Sequence, residues 1–224
     1  VNFYSLLTFP LSLLLALLLN HLPFRRYGKL VQNISYMPHF ISTVVLCSMV
    51  IQFLNARVGM INSLLGLFGV PAVNYMGKKE YYYSIYVWSG VWQDLGYSSI
   101  IYIAALSGVS PELHEAAIVD GASILRRIRH IDIPSVLPTF CILLIMRCGS
   151  LLSVGFEKAL LLQNPLNMTV SEVISTYSYN ISLNSTSPQF SYAAAIGLFT
   201  SVINLIVLCA VNGVVGRVSD NSIF

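Results

Sequence analysis

Charged residues are scarce in this sequence of 224 residues. Asp, Glu, Lys and Arg supply only 9% of the chain, against roughly 25% in an ordinary soluble domain, while hydrophobic residues supply 56%. The mean hydropathy is +0.73. So few charges cannot cover the surface of a water-soluble globule, and the composition indicates an integral membrane protein. The net charge of +3 is too small to indicate a nucleic-acid partner.

Motifs for catalysis and metal binding are also absent from the sequence. It contains no GxxxxGK[ST] phosphate loop, so the chain is not expected to hydrolyse ATP, and no HExxH motif of an intramembrane enzyme. The histidines lack metal-ligand spacing, and the cysteines lie in apolar stretches without CxxC spacing, which predicts buried free thiols. We therefore expect this chain to bind no metal or cofactor. The residues concerned are Cys47, Cys141, Cys148 and Cys209, and His21, His39, His114 and His130.

Long apolar runs, in contrast, recur along the chain. A transmembrane helix needs about 20 mostly apolar residues. The second run is short and is predicted to begin at Pro38, an allowed position in the first turn of a helix. The pattern predicts an all-α integral membrane protein, a polytopic helix bundle in which residues 1–224 form one domain. The predicted spans are residues 3–20, 38–55, 84–106, 136–156 and 192–216.

The distribution of Lys and Arg orients these spans, because cytoplasmic loops carry an excess of positive charge. With loops 21–37 and 107–135 and the tail inside, the inner side holds seven basic residues and the outer side four. The N-terminus is then outside; the chain begins with Val1 and lacks a signal-peptide pattern, so we expect a first helix to be missing. The inner residues are Arg25, Arg26, Lys29, Arg126, Arg127, Arg129 and Arg217, and the outer ones are Arg57, Lys78, Lys79 and Lys158.

The charged loop 107–135 carries the sharpest local pattern. Ser110 followed by Pro111 predicts the start of a helix, since it combines a side-chain cap with a preset φ. Leu113, Ala116 and Ala117 are spaced to share one face of that helix. Small residues on this face would let another protein approach closely.

The second half of the same loop is predicted to turn the chain back toward the membrane. Gly121 ends or bends the first helix, and Ser123 can cap a second short one. Pro134 and Pro138 are then expected to turn the chain into the fourth span.

The spacing within this loop resembles a known family motif. Glu115-Ala116-Ala117, three residues, Gly121, nine residues, Ile131, one residue and Ile133-Pro134 are similar to the EAA loop of the integral-membrane subunits of bacterial ATP-binding-cassette importers, with Ile133 where leucine is usual. Residues 20–45, 59–76 and 155–179 also look like the polysaccharide and oligosaccharide permease branch of the maltose-type family. The resemblance implies the type I importer permease (MetI-like) fold, which has six helices, of which this chain would supply the second to the sixth.

This resemblance implies a function in carbohydrate uptake across the bacterial plasma (inner) membrane. The chain would be one of two permease subunits that form the path for a sugar or oligosaccharide. Its partners would be a second permease subunit, two cytoplasmic ATPase subunits that bind ATP and Mg, an extracytoplasmic sugar-binding lipoprotein and the lipid bilayer. The implied ATPase-coupling residues are Glu115, Ala116, Ala117, Asp120, Gly121, Ile131 and Pro134.

Polar residues within the predicted spans form a second candidate site. Asp94 and Arg147 lie near the middle of the third and fourth spans, where a charge costs about 2.5 to 3.5 kcal/mol and needs an interior partner or a water-filled cavity. Either the two residues pair with each other or with backbone groups and order the bundle, or they line the transport path together with Trp92, Gln93 and Tyr97. A rival hypothesis is a secondary transporter in which Asp94 and Arg147 carry a coupling ion or proton; the lack of a visible inverted repeat argues against it.

Overall fold

The computed structural model describes residues 2–22, 25–153 and 155–218. Every regular element in these ranges is helical, which confirms the all-α fold class. The α-helices are α1 Asn2–Thr8, α2 Pro10–Asn20, α3 Arg25–Tyr36, α4 Thr43–Phe53, α5 Met60–Gly66, α6 Lys79–Ser107, α7 Pro111–Val119, α8 Ile124–Arg127, α9 Ile133–Gly149, α10 Phe156–Leu162, α11 Met168–Ser171, α12 Ile174–Ser182 and α13 Phe190–Val218. Short 3₁₀ turns occupy Met37–Phe40 and Tyr75–Gly77, and a π-helical turn occupies Ile128–Asp132.

Several helix boundaries differ from the sequence predictions. Pro38 lies in a 3₁₀ turn, and α4 begins after Ser42, whose hydroxyl accepts a hydrogen bond from the amide of Val45. The first predicted span is divided at Phe9, before Pro10, into α1 and α2. Residues 23 and 24 of the predicted inner loop and residues 219–224 of the tail lie outside the described residues.

The fourth predicted span is also displaced along the chain. α8, the π turn and α9 form one helical run over Ile124–Gly149, so Pro134 and Pro138 lie within a helix, and the predicted turn at these prolines is wrong. Pro134 lies in the first turn of α9, directly after the π turn, where a local change of hydrogen-bond register accommodates its missing amide, and Pro138 lies inside the helix. The helix ends at Gly149, seven residues before the predicted boundary at 156.

Two helical runs of the described chain are long and apolar enough to cross a membrane, Ile124–Gly149 and Phe190–Arg217. A third qualifies if the bent pair Arg26–Phe40 and Thr43–Phe53 is one span. α6 has the length, but its tyrosines, serines, Gln93 and Asp94 make it more polar. The count of five spans, and a single domain over residues 1–224, stay predictions.

The described residues group into two compact units, each assembled from separated segments. The first takes its residues from Val1–Ser5, Ile41–Val91 and Ser150–Asn204. Its core joins α4, α6 and α10 through Cys47, Tyr82, Tyr86, Ala159 and Leu162. Tyr82 and Tyr86 are therefore core residues.

The second unit takes its residues from Leu6–Phe40, Trp92–Gly149 and Leu205–Phe224. Ala16, Leu17, Tyr102, Leu106 and Val136 form a core that joins α2, α6 and α9. A second cluster joins α9 to α13. This unit contains the whole loop 107–135, and its core holds the helices on either side of that loop.

The four cysteines are free thiols, as predicted. Cys47, Cys141 and Cys148 are buried. Cys209 is exposed on α13, so the prediction that it is buried is wrong. Gly197 on the same helix also has open space beside it, because an added Cβ there would meet nothing within 4 Å.

Candidate functional site

The loop 107–135 presents a short, firmly capped helix, α7. The Ser110 hydroxyl accepts a hydrogen bond from the Glu112 amide at 3.3 Å, and Pro111 occupies the first helical position. Both features suit a helix start, because the Ser110 oxygen satisfies one free backbone amide and Pro111 has no amide to satisfy. The predicted helix start is therefore confirmed.

Gly121 closes α7 in a left-handed conformation with φ +73°. Its amide donates to the Ile118 carbonyl at 3.0 Å, and the Ala122 amide donates to the Ala117 carbonyl at 2.8 Å. This pair of bonds is the Schellman motif, in which a left-handed residue just past the helix satisfies its last carbonyls. An added Cβ at Gly121 would meet nothing within 4 Å, so the requirement for glycine is conformational and not steric crowding by neighbours.

The residues of α7 differ sharply in exposure. Only His114 and Ala117 are half-buried, and every other residue of the helix is exposed. The opposite side, which we name the outer face of α7, consists of residues spaced by three and four positions. Its members are Glu112, Glu115, Ala116 and Val119.

The observed exposure of α7 differs from the predicted close-packing face. Leu113, Ala116 and Ala117 share a stripe by spacing, yet Ala116 is exposed and Ala117 is half-buried. Val119 is 87% exposed, a large apolar residue directed away from the protein. The outer face of α7 therefore combines two carboxylates with small and apolar side chains, which suits contact with another protein that brings a basic group.

The remaining predicted coupling residues are spread along the loop. Asp120 and Gly121 are exposed at the end of α7. Ile131 is half-buried in the π turn, and Pro134 is exposed in the first turn of α9. Ser123 occupies the start of α8 but makes no capping hydrogen bond, so its predicted capping role is wrong.

The sequence analysis did not predict a cluster of polar side chains around Asp132. Asp132 is fully buried in the π turn, and its Oδ2 lies 2.7 Å from Nε2 of His21. Its Oδ1 lies 3.4 Å from Nε2 of His114 on α7. The sequence analysis did not identify Asp132 as a partner of His21 or His114. One signal was available in the sequence, because Asp132 lies four residues before Val136, the apolar first residue of the predicted fourth span, and so shares a helical face with it.

The second candidate site lies on α6. Asp94 pairs with His39, whose Nδ1 lies 3.0 Å from Oδ1 of the carboxylate. The His39 ring stacks on Tyr97 with centroids 3.8 Å apart and planes 3° from parallel. Asp94 is 57% exposed and Tyr97 46% exposed. The sequence did not indicate His39 as the partner of Asp94.

The other predicted path residues do not all share that surface. Gln93 is half-buried beside Asp94 and Tyr97 on the helix. Trp92 is 50% exposed but points about 140° away from Tyr97, since a helix turns about 100° per residue. Arg147 is exposed on α9.

Close packing fixes the position of this part of α6. Gly96 is buried, and a Cβ added there would lie 2.1 Å from the Ser35 carbonyl oxygen of α3. The backbones of the two helices thus approach at a distance that only glycine permits. This contact holds α3 directly against the turn of α6 that carries Asp94 and Tyr97.

Comparison with known proteins gives a consistent result. The family model described as "Binding-protein-dependent transport system inner membrane component" matches residues 9–220. The polygalacturonan/rhamnogalacturonan transport system permease protein YteP of Bacillus subtilis (strain 168) is 37% identical over 216 residues, which cover 96% of this chain and 67% of the relative. Protein LplB of the same organism is 34% identical over 219 residues, which cover 98% of this chain and 68% of the relative.

Solved structures show the same similarity. A bacterial ABC transporter involved in the import of the acidic polysaccharide alginate contains a chain with 36% identity and a TM-score of 0.92, matched over 96% of this chain and 76% of that one. The alginate transporter in complex with its alginate pentasaccharide-bound periplasmic protein gives a TM-score of 0.93 at 36% identity, over 98% and 77% of the two chains.

Proposed function

Because the chain belongs to the family of binding-protein-dependent transport system inner membrane components, we propose that it couples ATP hydrolysis by partner subunits to the import of an oligosaccharide. It is a permease subunit of the membrane and not a catalytic enzyme. In the proposed complex a second permease subunit completes the path, two cytoplasmic ATPase subunits bind ATP and Mg, and an extracytoplasmic binding protein delivers the sugar.

The observation that carries this proposal is the outer face of α7. A nine-residue helix that is exposed on nearly every side, with Val119 at 87% exposure, packs little against its own chain and leaves apolar surface for a protein partner to cover. Glu112 and Glu115 supply the charge that would attract a basic group on the ATPase. In this proposal, residues Glu115 to Gly121 couple the two proteins by direct contact, and movement of the ATPase subunit moves α7.

The proposed substrate class is an acidic oligosaccharide. One similar protein is named for the transport of polygalacturonan and rhamnogalacturonan, and another is involved in the import of the acidic polysaccharide alginate. On this chain, the exposed Arg147 is the candidate for a substrate carboxylate, because a guanidinium binds carboxylates in a bidentate manner. Asp94, Gln93 and Tyr97 are candidates for hydroxyl groups and ring faces.

The deciding experiment is uptake by the complete transporter reconstituted in lipid vesicles. We expect uptake of labelled oligogalacturonate that requires ATP, persists with an uncoupler and is not inhibited by a neutral oligosaccharide of equal length. Uptake that the uncoupler abolishes would favour the ion-coupled hypothesis. ATP-driven uptake of the neutral sugar alone would leave the transport mechanism intact and contradict the acidic substrate.

The candidate path residues need their own variants. Arg147→Gln is expected to raise the KM for the acidic oligosaccharide by about tenfold, the loss of one charge-assisted contact, with a normal amount of protein in the membrane. Trp92→Phe serves as the matched control, because Trp92 points away from the surface that Asp94 and Tyr97 share. An unchanged KM for Arg147→Gln would remove this residue from the path.

A further inference from the structure

The carboxylate of Asp132 joins three helical elements of the second unit. It lies in the π turn that leads into α9, it contacts His21 at the end of α2, and it lies within ion-pair distance of His114 in α7. The His21 and His114 rings are themselves in edge contact, with centroids 6.1 Å apart. The cluster of His21, His114 and Asp132 therefore connects the candidate coupling helix α7 to α2 and α9.

Burial makes this cluster energetically significant. The side chain of Asp132 is 0% exposed, and those of His21 and His114 are 14% and 20% exposed. Taking a carboxylate out of water costs several kcal/mol unless a partner compensates it. The His21 imidazole hydrogen-bonds Oδ2 at 2.7 Å, whereas Oδ1 has no hydrogen-bond partner among the described residues and lies 3.4 Å from Nε2 of His114. Shielding from water strengthens both electrostatic contacts.

The rest of α7 is weakly attached. No residue of this helix is buried, and it is joined to the chain by short turns that contain Gly108 on one side and Gly121 on the other. His114 is the exception, because it is half-buried and its Nε2 lies 3.4 Å from the carboxylate of the fully buried Asp132.

The same carboxylate stands next to the hydrophobic core. Val136, one helical turn after Asp132, is 0% exposed and packs in the cluster that contains Ala16 and Leu17 of α2. His21 follows that helix directly as its C-terminal cap. A displacement of Asp132 is therefore passed to tightly packed helices and not dissipated in solvent-exposed turns.

We propose that Asp132 is a positioning residue that, through His114 and His21, fixes α7 to the ends of α2 and α9, so that movement of α7 drives the membrane helices. This inference rests on the proposed function, since it concerns the transmission of work from the ATPase. Without the cluster, α7 would still bind the ATPase through its outer face but would rotate about its two turns.

The test compares three variants with a matched control in the complete transporter in lipid vesicles. Asp132→Asn keeps the size and removes the charge, and His114→Gln and His21→Gln remove each imidazole. The control is His130→Gln, because His130 lies in the same loop but is exposed, with its Nδ1 2.9 Å from the Arg126 carbonyl oxygen. The measured quantity is the number of ATP molecules hydrolysed per oligosaccharide imported.

We expect this ratio to rise by about fivefold or more in Asp132→Asn and His114→Gln, because coupling between two sites typically changes an equilibrium by at least that factor. The ATPase subunits are expected to stay bound in both variants. His130→Gln is expected to keep the original ratio. The double variant Asp132→Asn/His114→Gln should resemble either single variant, since both remove the same connection.

Two results would overturn the inference. One is an unchanged ratio in His114→Gln with normal uptake. The other is a parallel loss of uptake and ATP hydrolysis at a constant ratio, which indicates a purely structural role. If Asp132→Asn does not assemble, His114→Gln decides alone, because it lies on an exposed helix. Failure of the unaltered transporter to use ATP would refute the proposed function itself, a distinct outcome that also removes the basis of this inference.

Discussion

At the scale of single residues, two glycines carry the clearest requirements, and for different reasons. Gly121 is needed for its left-handed backbone, since nothing stands near its missing side chain. Gly96 is needed for space, since the Ser35 carbonyl fills the position of a Cβ. The first requirement concerns the backbone of one turn, and the second concerns the distance between two helices.

Substitution at Gly121 is expected to impair coupling according to how well the new residue adopts a positive φ. Gly121→Val should reduce uptake strongly, because a left-handed conformation costs a non-glycine residue about 1–2 kcal/mol and a β-branched residue tolerates it least. Gly121→Asn should retain most uptake, because asparagine adopts this conformation readily. Transport assays with equal membrane amounts of both variants provide the check, and equal activity of the two would contradict the conformational explanation.

Substitution at Gly96 is expected to destabilise the protein. Gly96→Ala must separate α3 from α6 and should lower the free energy of unfolding by about 1–3 kcal/mol, as overpacking does. The measurement is the thermal unfolding midpoint of the purified transporter. Gly213→Ala on α13 is the matched control, because an added Cβ there meets nothing within 4 Å. An equal midpoint for both variants would show that α3 moves aside without cost.

At the scale of elements, α7 stands out because its capping is strong and its packing is weak. Ser110 and Gly121 satisfy both ends of the helix locally, so the helix persists although none of its residues is buried. A helix stabilised from its ends keeps its faces available for a partner. The outer face of α7 can therefore be altered without unfolding the helix.

A charge on the outer face of α7 is expected to weaken ATPase binding. Val119→Asp would bury an unpaired carboxylate in the proposed contact and should reduce retention of the ATPase subunits by about tenfold or more during copurification. Phe68→Asp is the control, because Phe68 is similarly exposed, at 83%, but lies outside the loop 107–135. Normal retention in Val119→Asp would exclude this face from the interface.

At the scale of the whole molecule, the exposure of the apolar helices indicates that something other than the described chain covers them. Phe190–Arg217 qualifies as a membrane span while none of its most apolar window is buried within the described protein. Lipid or a second permease subunit is expected to cover such a surface, since water cannot do so favourably. The orientation predicted from the Lys and Arg distribution defines which loops remain in water on each side.

Chemical labelling tests that orientation. In a background without the four native cysteines, Ser187→Cys in the loop before α13 should react with a membrane-impermeant maleimide added to intact cells. Ser123→Cys in the loop 107–135 should react only after the membrane is opened, because positively charged loops stay inside. Both positions are exposed in the structure. Labelling of Ser123→Cys in intact cells would invert the orientation and remove the proposed ATPase contact.

The amino-acid sequence by itself determined the helical class, the membrane character and both ends of α7. These features depend on composition and on bonds between residues a few positions apart, such as the Ser110 cap and the Gly121 turn, so local pattern is sufficient to predict them. The family motif added the proposed role of the loop.

Only the tertiary structure decided which distant side chains meet. His21 and Asp132 are 111 positions apart, and His39 and Asp94 are 55 apart. No local pattern encodes such pairs, because they arise when helices pack and a buried carboxylate must find the nearest compensating group. Packing also explains why Ala116 is exposed and Ala117 is half-buried although their spacing places them on one face. Burial depends on the neighbouring helices and not on the helical period.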